Sequence, residues 1–386
     1  MIRPVVASYC TTFLKREMRH IYRQVSGLKD FETFVITRAR ENAPEYPFRD
    51  VEVLPRPRIF FLSRFYKKYL AVEEALFYRG EYKQLVRLLE RRNPDLVHIY
   101  FGHTGVHLLP FVRSWKGRAL VSFHGMDIMP REQEPGYTGR LRELLRVLPM
   151  VLARSESLAA RLVELGCDPA KIRINRTGIP LESFPFLERT PPAGGAWHLV
   201  QASRLIEKKG LNNSLEAFSA FLKNHPAARL TLAGDGPLVD QLKRQAVDLG
   251  VERAVHFAGF QSQSELAALF ASAHIFLHPS RLTSLQDQEG VPNSMLEAMA
   301  TGLPVAATLH GGIPEAVTDG SDGLLTPEND SPALAASLER IAGSPELLRQ
   351  MSARASISVR GKYEQAAATR NLEGFYRELM DKTPCE

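Results

Sequence analysis

At 386 residues, with 44% hydrophobic and 24% charged residues and a formal net charge of +6, the chain is long enough to bury two ordinary cores, and it carries no low-complexity segment or internal repeat. No run of about 18 apolar residues is present, and the opening MIRPVVASYCTTFLKREMRH meets charge too early for a secretory signal. Cys10, Cys167 and Cys385 are isolated and odd in number, so zinc-site spacing is excluded and free thiols in a cytosolic protein are expected.

In chain order, the first half offers the short apolar strands VVASY, TFVIT, LVHIY, ALVSF and VLARS, separated by helical stretches such as the one marked by Leu85, Leu88 and Leu89. The loop after the first strand reads SYCTTFLKREMRH. Pro55 to Leu70, PRPRIFFLSRFYKKYL, combines Arg56, Arg58, Arg64, Lys67 and Lys68 with Phe60, Phe61, Phe65, Tyr66 and Tyr69. Two readings fit it equally: an interfacial element on an anionic membrane, or an element whose aromatics enter the core while its cations are merely solvated. His103 sits in YFGHTGVH. SFHGMD places His124 at a strand end followed by Gly125, where a side chain enters a cleft, with Asp127 near enough to orient it. A lone histidine is usually a satisfied structural one; its place just after an apolar strand favours a site.

RTGIPLESFPFLERTPPAGGAW is punctuated by prolines and glycines and has no sustained periodicity, so a linker is expected at 181–195. Beyond it come HLVQAS, LTLAG, VHFAG, IFLHPS and PVAAT, with Leu215, Phe218 and Leu222 marking a helix between the first two, and a last helix from about Glu364 to Met380. Strands alternating with helices in both halves indicate α/β architecture with two parallel sheets. Charge divides unevenly: residues 1–180 carry +12 from 31 Lys+Arg against 19 Asp+Glu, and residues 181–386 carry −6 from 18 against 24. An anionic surface or polyanionic acceptor on the N-terminal side follows; no helix-turn-helix, zinc-finger or RNP pattern supports nucleic acid.

Chemistry concentrates between His278 and Val317, HPSRLTSLQDQEGVPNSMLEAMATGLPVAATLHGGIPEAV. Gly290, Val291 and Pro292 form a loop that ends in a residue suited to a first helical turn, so the amides of Asn293 and Ser294 are expected to face a diphosphate. Glu297, one turn further in, is placed for ribose hydroxyls, and Glu289 for a hexose at the other end. Loop, amphipathic helix, glycine stop and buried strand account for the same residues structurally; the two readings are compatible. SRLIEKKG follows the first strand of the second half and sets Arg204 and Lys209 in a loop closed by Gly210, with Lys208 expected to face solvent. G-x-G-x-x-G and G-x4-G-K-[ST] are absent, which argues against a dehydrogenase and a P-loop NTPase.

The Glu289 to Glu297 spacing resembles the E-x7-E signature of retaining GT-B glycosyltransferases of family 4. SFHGMD, RTGIPLESF, SRLIEKKG, LAGDGP and VHFAGF match that family's pattern in its usual order, over nearly the whole chain. The long loop from Arg281 to Gln288 and the EGVP variant resemble the exopolysaccharide, colanic-acid-type branch. The resemblance implies two Rossmann-like domains facing across a cleft: an acceptor-side domain at 1–180, the linker at 181–195, a nucleotide-sugar domain at 196–363, and a helix at 364–386 returning to the first domain. It implies transfer of a hexose from a UDP- or GDP-linked donor to an acceptor hydroxyl without a metal. Arg204 and Lys209 would steady the departing diphosphate, Glu289 the sugar and Glu297 the ribose. Gly234 and Gly236 would lie near the nucleotide, Gly259 and Phe260 beside the base unless Phe260 is a core side chain, His124 at the transferred sugar and His103 near the acceptor. The acceptor is expected to be lipid-linked. The first loop departs from the family's glycine-rich pattern, which bears on the acceptor side. A nucleotide-sugar 2-epimerase and a non-catalytic nucleotide-sugar-binding protein are the competing expectations.

Overall fold

The computed structural model describes residues 3–15, 18–54, 61–129, 136–284 and 287–381. The chain forms two compact units, Met1–Gly178 with Ala366–Glu386, and Ile179–Gln365.

The first unit is built on seven strands: β1 Val5–Phe13, β2 Glu32–Arg40, β3 Val51–Val53, β4 Leu96–Tyr100, β5 Arg118–Phe123, β6 Met150–Ala153 and β7 Ile172–Ile174. They run parallel in the order β3-β2-β1-β4-β5-β6-β7. Every residue of LVHIY in β4 is buried, as expected of a central parallel strand covered on both faces.

The second unit holds β8 His198–Ala202, β9 Arg229–Ala233, β10 Val255–Gly259, β11 Ile275–His278, β12 Val305–Thr308 and β13 Gly323–Thr326, parallel in the order β10-β9-β8-β11-β12-β13. All ten strands expected from the sequence are present. The three not expected, β3, β7 and β13, have three or four residues and lie at sheet edges. Such short strands are placed by the ladder of a neighbour and carry too few residues for a periodicity of their own.

The last helix, Gln365–Asp381, packs on the first unit. Leu372, Tyr376 and Leu379 share a core with Val6, Leu96, Leu120 and Leu152. Tyr376 bonds His98 Nδ1 at 2.7 Å, and the buried Glu373 carboxylate accepts the amides of Lys29 at 2.6 Å and Asp30 at 2.7 Å.

The stretch 181–195 is not a free linker, because it belongs to the second unit. Phe184 is fully buried, and the Arg189 guanidinium, 5% exposed as a residue, donates to the carbonyls of Ala271, Ala273 and Thr301. Its prolines and glycines remove any sustained periodicity, and this looks the same in sequence as a disengaged segment. Cys10 and Cys167 are free and buried, and Cys385 lies outside the described residues.

Candidate active site

Strand order reverses between β8 and β11 in the second sheet, and open parallel sheets bind ligands at the carboxyl ends of strands beside such a reversal. Arg204 and Lys209 follow β8; Glu289 follows β11. The tertiary structure joins Lys209 and Glu289 in a direct ion pair, Nζ to Oε2, with side chains only 12% and 11% exposed. Burial pulls the Lys209 ammonium below its ordinary value and by itself would push the Glu289 carboxyl up, but the Lys209 charge overrides this and holds Glu289 well below the usual carboxylate range. Glu289 is therefore a carboxylate facing the Lys209 amine.

Ser280 Oγ donates to the same Glu289 oxygen at 3.5 Å. His278, at the end of β11 and fully buried, has Nε2 at 3.9 Å from that oxygen, and neither of its ring nitrogens makes a hydrogen bond. Burial lowers its pKa to about 4, so the ring is neutral.

The backbone of Glu289 is held independently of its side chain. Its amide donates to His310 Nε2 at 2.9 Å, so the ring proton sits on Nδ1, which bonds Glu328 Oε1 at 2.6 Å. Glu328 Oε2 accepts the Leu282 amide at 2.7 Å. Gly311, at φ +56°, lies against the Glu289 carbonyl, where a Cβ would come within 2.1 Å of the oxygen. The Gly-Gly turn thus closes on the loop that carries Glu289.

Lys208 does not face solvent. It is 6% exposed and pairs with Asp287 at 2.9 Å, closing one end of the Arg281–Gln288 loop. Leu285 and Gln286 of that loop lie outside the described residues. Arg204 is exposed.

The glycines of LAGDGP sit at a close backbone approach. A Cβ on Gly234 would sit 1.9 Å from the Ser203 carbonyl oxygen, and one on Gly236 2.4 Å from that of Leu205. These glycines let the loops after β8 and β9 approach each other, so the close backbone contact is loop to loop. Gly259, at the end of β10, accepts the Gly234 amide at 2.7 Å. Phe260 is 41% exposed and so is not a core side chain.

The helix Asn293–Ala300 begins after Pro292 with no side-chain cap, and the Ser294 hydroxyl donates to the Ala202 carbonyl at 2.5 Å. That bond pins the helix start to the end of β8. Glu297 is 5% exposed, and a Cβ on Gly290 would meet nothing within 4 Å.

The first unit gathers the other candidates at the end of its own sheet, whose order reverses between β1 and β4. His124 follows β5. Arg154 Nη1 donates to its Nδ1 at 3.4 Å, which leaves the ring proton on Nε2, 3.2 Å from Ser122 Oγ. Burial, Arg154 and the nearby His20 hold its pKa well below the ordinary value, so this ring too is neutral.

Asp127 does not orient that ring. Its carboxylate is 2% exposed and accepts the backbone amides of His124, Gly125 and Gly102, so it shapes the loop that carries His124. His103, half-buried, lies against Phe101, which is held at φ +73° with its amide on the Ser122 carbonyl at 2.9 Å. A bulky residue in that region costs about 1–3 kcal/mol, and such strain concentrates at functional loops. Among the described residues no cluster of three metal-ligating side chains occurs.

Residues 187–357 match the family model for group 1 glycosyl transferases, and residues 18–183 match that for glycosyltransferase family 4. WcaL of Salmonella typhimurium, named for colanic acid biosynthesis as a glycosyltransferase, is 34% identical over 288 residues, 74% of this chain and 71% of that protein. The chain belongs to glycosyltransferase family 4. This family 4 glycosyltransferase is also 32% identical over 287 residues to the amylovoran biosynthesis glycosyltransferase AmsK of Erwinia amylovora, covering 74% and 70% of the two chains. Anabaena HepE, solved in complex with UDP, superposes with a TM-score of 0.79 at 17% identity over 97% of this chain and all of that one. At that identity the likeness shows the fold, which is GT-B.

Sequence reading missed His310, Lys208, Asp287 and Arg154 as parts of the two clusters in this glycosyltransferase. ATLHGGIPE did flag a turn, and the histidine before it was the available signal. Loss of the His310 ring frees the Glu289 amide, so His310→Ala is expected to lower kcat by up to about 10²-fold, the cost of a misplaced group. Steady-state rates decide it, and an unchanged kcat would mean that Glu289 needs no such support.

Buried neutral histidines also set an acid limit. His98 is lowered by burial to about 3 and His278 to about 4, whereas an unfolded histidine titrates near 6.5. Below about pH 6.5 the unfolded chain binds protons that the folded chain refuses. The stability is complete above that pH and falls by about 1.4 kcal/mol per pH unit for each such group, down toward its folded value. Urea midpoints are expected to drop from pH 7 to pH 5, and His278→Asn should reduce the slope. A flat profile would contradict the burial of uncharged rings.

Proposed function

We propose that this glycosyltransferase moves a hexose, with retention, from a UDP- or GDP-linked donor to an acceptor hydroxyl in exopolysaccharide assembly. The observation that carries this reading is the buried Lys209–Glu289 pair at the strand-order reversal of the second sheet, beside the start of the helix Asn293–Ala300. Arg204, Lys209 and the first amides of that helix stabilise charge as it develops on the departing diphosphate. Glu289 holds hexose hydroxyls, Glu297 holds the ribose, and Phe260 flanks the base. His124, a neutral ring between Ser122 and Arg154, lies against the transferred sugar, and His103 lies on the acceptor side.

The bond from the anomeric carbon to the diphosphate breaks as the acceptor oxygen bonds to the same face. The acceptor's proton passes to an oxygen of the leaving diphosphate, so no enzyme carboxylate becomes a covalent nucleophile. No metal takes part in the reaction.

The polysaccharide assignment is supported by the likeness to WcaL and AmsK, and the uridine alternative by the HepE complex with UDP. The acceptor is lipid-linked. The enzyme works in the cytoplasm in peripheral contact with the anionic inner leaflet, in keeping with the +12 charge of residues 1–180. No described helix is long and apolar enough to cross a membrane.

Incubation with UDP- and GDP-hexoses, monitoring nucleoside diphosphate release with and without polyprenyl-linked glycans, tests the reading. Acceptor-dependent release with the α-linkage of an α-donor retained is expected. Interconversion of donor sugars without an acceptor would replace transfer by epimerisation, and binding without turnover would remove catalysis.

A further inference from the structure

Phe61–Phe65 forms a short α-helical turn that continues as a π-helical turn, Tyr66–Leu70, and neither contains a buried residue. The aromatics of this segment therefore do not enter the core. Phe61 is 79% exposed and Leu62 78%, and Phe65, Tyr66, Tyr69, Leu70 and Val72 are also exposed. Their rings touch one another instead: Phe61 and Phe65 are 6.4 Å apart between centroids, Phe65 and Tyr69 5.0 Å. An apolar ridge of this kind in water marks a contact surface.

Arg64, Lys67 and Lys68 lie within the ridge, and Phe61–Leu70 contains no acidic residue. Lys68 rests over the Tyr69 ring at 4.6 Å, and Lys67 pairs with Glu73 at 3.4 Å. A hollow of about 480 Å³ adjoins the ridge, lined by Phe77 and Tyr82 among others, with Lys67 and Lys83 on its wall and Glu73 beside Lys67. Arg56, Arg58 and Phe60 lie outside the described residues.

We propose that Phe61–Val72 and the adjoining hollow form a docking element for an anionic phospholipid bilayer. Phe61, Leu62, Phe65 and Leu70 enter the interface, Arg64, Lys67, Lys68 and Lys83 meet lipid phosphates, and the hollow takes the upper methylenes of an acyl chain. The inference deepens the peripheral-contact reading above by naming the residues that make the contact.

Three features select a bilayer as the occupant. Aromatic rings interleaved with cations match a lipid interface, where rings sit at headgroup depth and cations face phosphate. A second copy of this chain would set three cations against three. The charge of the ridge complements anionic lipid, and its neutral side chains offer a protein partner few directional hydrogen bonds.

The test is co-sedimentation of the full chain with vesicles of phosphatidylcholine alone or mixed with phosphatidylglycerol, at low and high salt. Binding is expected only to the mixed vesicles, falling by about tenfold or more as salt shortens the screening length. Replacing Arg64, Lys67 and Lys68 with Ala should abolish the binding. Replacing Phe61, Leu62 and Phe65 with Ser should weaken it even at low salt. Both variants should keep the wild-type circular-dichroism spectrum and urea midpoint, which shows that they fold.

If wild type binds the mixed vesicles and both variants bind equally well, the segment is overturned while peripheral contact stands. If wild type binds neither vesicle, both fall. Equal binding to phosphatidylcholine alone would overturn the role of the cations. Dimerisation in lipid-free solution, lost in the Phe61/Leu62/Phe65 variant, would assign the ridge to a second copy instead.

Discussion

Arg204→Ala and Lys209→Ala are each expected to lower turnover by roughly 10²- to 10³-fold, the usual loss for one electrostatic stabiliser of a developing charge. Their effects on folding should differ. Arg204 is exposed, so its removal leaves no group stranded and the unfolding midpoint should stay at the wild-type value. Lys209 is packed against Glu289 with both side chains largely desolvated, and its removal leaves that carboxylate without its countercharge. Breaking one side of such a pair costs about 3–5 kcal/mol. Adding Glu289→Gln to Lys209→Ala removes the stranded charge and should restore much of the stability while recovering no turnover. Urea denaturation of the three variants, together with diphosphate release rates, measures both effects. A Lys209→Ala protein as stable as wild type would show that the pair is not desolvated, and near-wild-type turnover in both single variants would remove these cations from the mechanism.

The two glutamates are expected to divide the donor between them. Glu297→Ala should weaken nucleoside diphosphate binding by about 1.5–3 kcal/mol, the worth of hydrogen bonds to a charged group. Glu289→Ala should leave that affinity nearly unchanged and damage transfer. The geometry sharpens the contrast. Glu297 sits one turn into a helix whose start is pinned to β8 by Ser294, whereas Glu289 engages Lys209 and Ser280, with His278 close by. Its loss therefore perturbs the cation that steadies the leaving group as well as the sugar contact. Titration calorimetry with UDP and GDP, set beside kcat, separates the roles; equal loss of nucleotide affinity in both variants would defeat the division.

The sequence by itself determined the α/β class, ten of the thirteen strands among the described residues and the family, because these rest on local patterns. Buried strands such as LVHIY are apolar along their whole length, and EGVPNSMLEAMATG specifies loop, helix and stop within one continuous stretch. The position of Glu289 just before the helix start was legible for the same reason.

Only the tertiary structure decided what lies between segments distant in sequence. Lys208 and Lys209 are adjacent and chemically alike, yet one pairs with Asp287 and the other with Glu289, which depends on how the loop after β8 meets the loop after β11. Asp127 was readable as a carboxylate near His124, but that its oxygens are taken up by three backbone amides depends on the loop's path. The glycines of LAGDGP signalled close approach without naming the partner, which is the Ser203–Leu205 backbone. For Phe61–Leu70 the pattern of aromatics and cations suited a core and an interface equally. Composition sets what a segment can cover, and only packing decides whether another part of the chain is there to be covered.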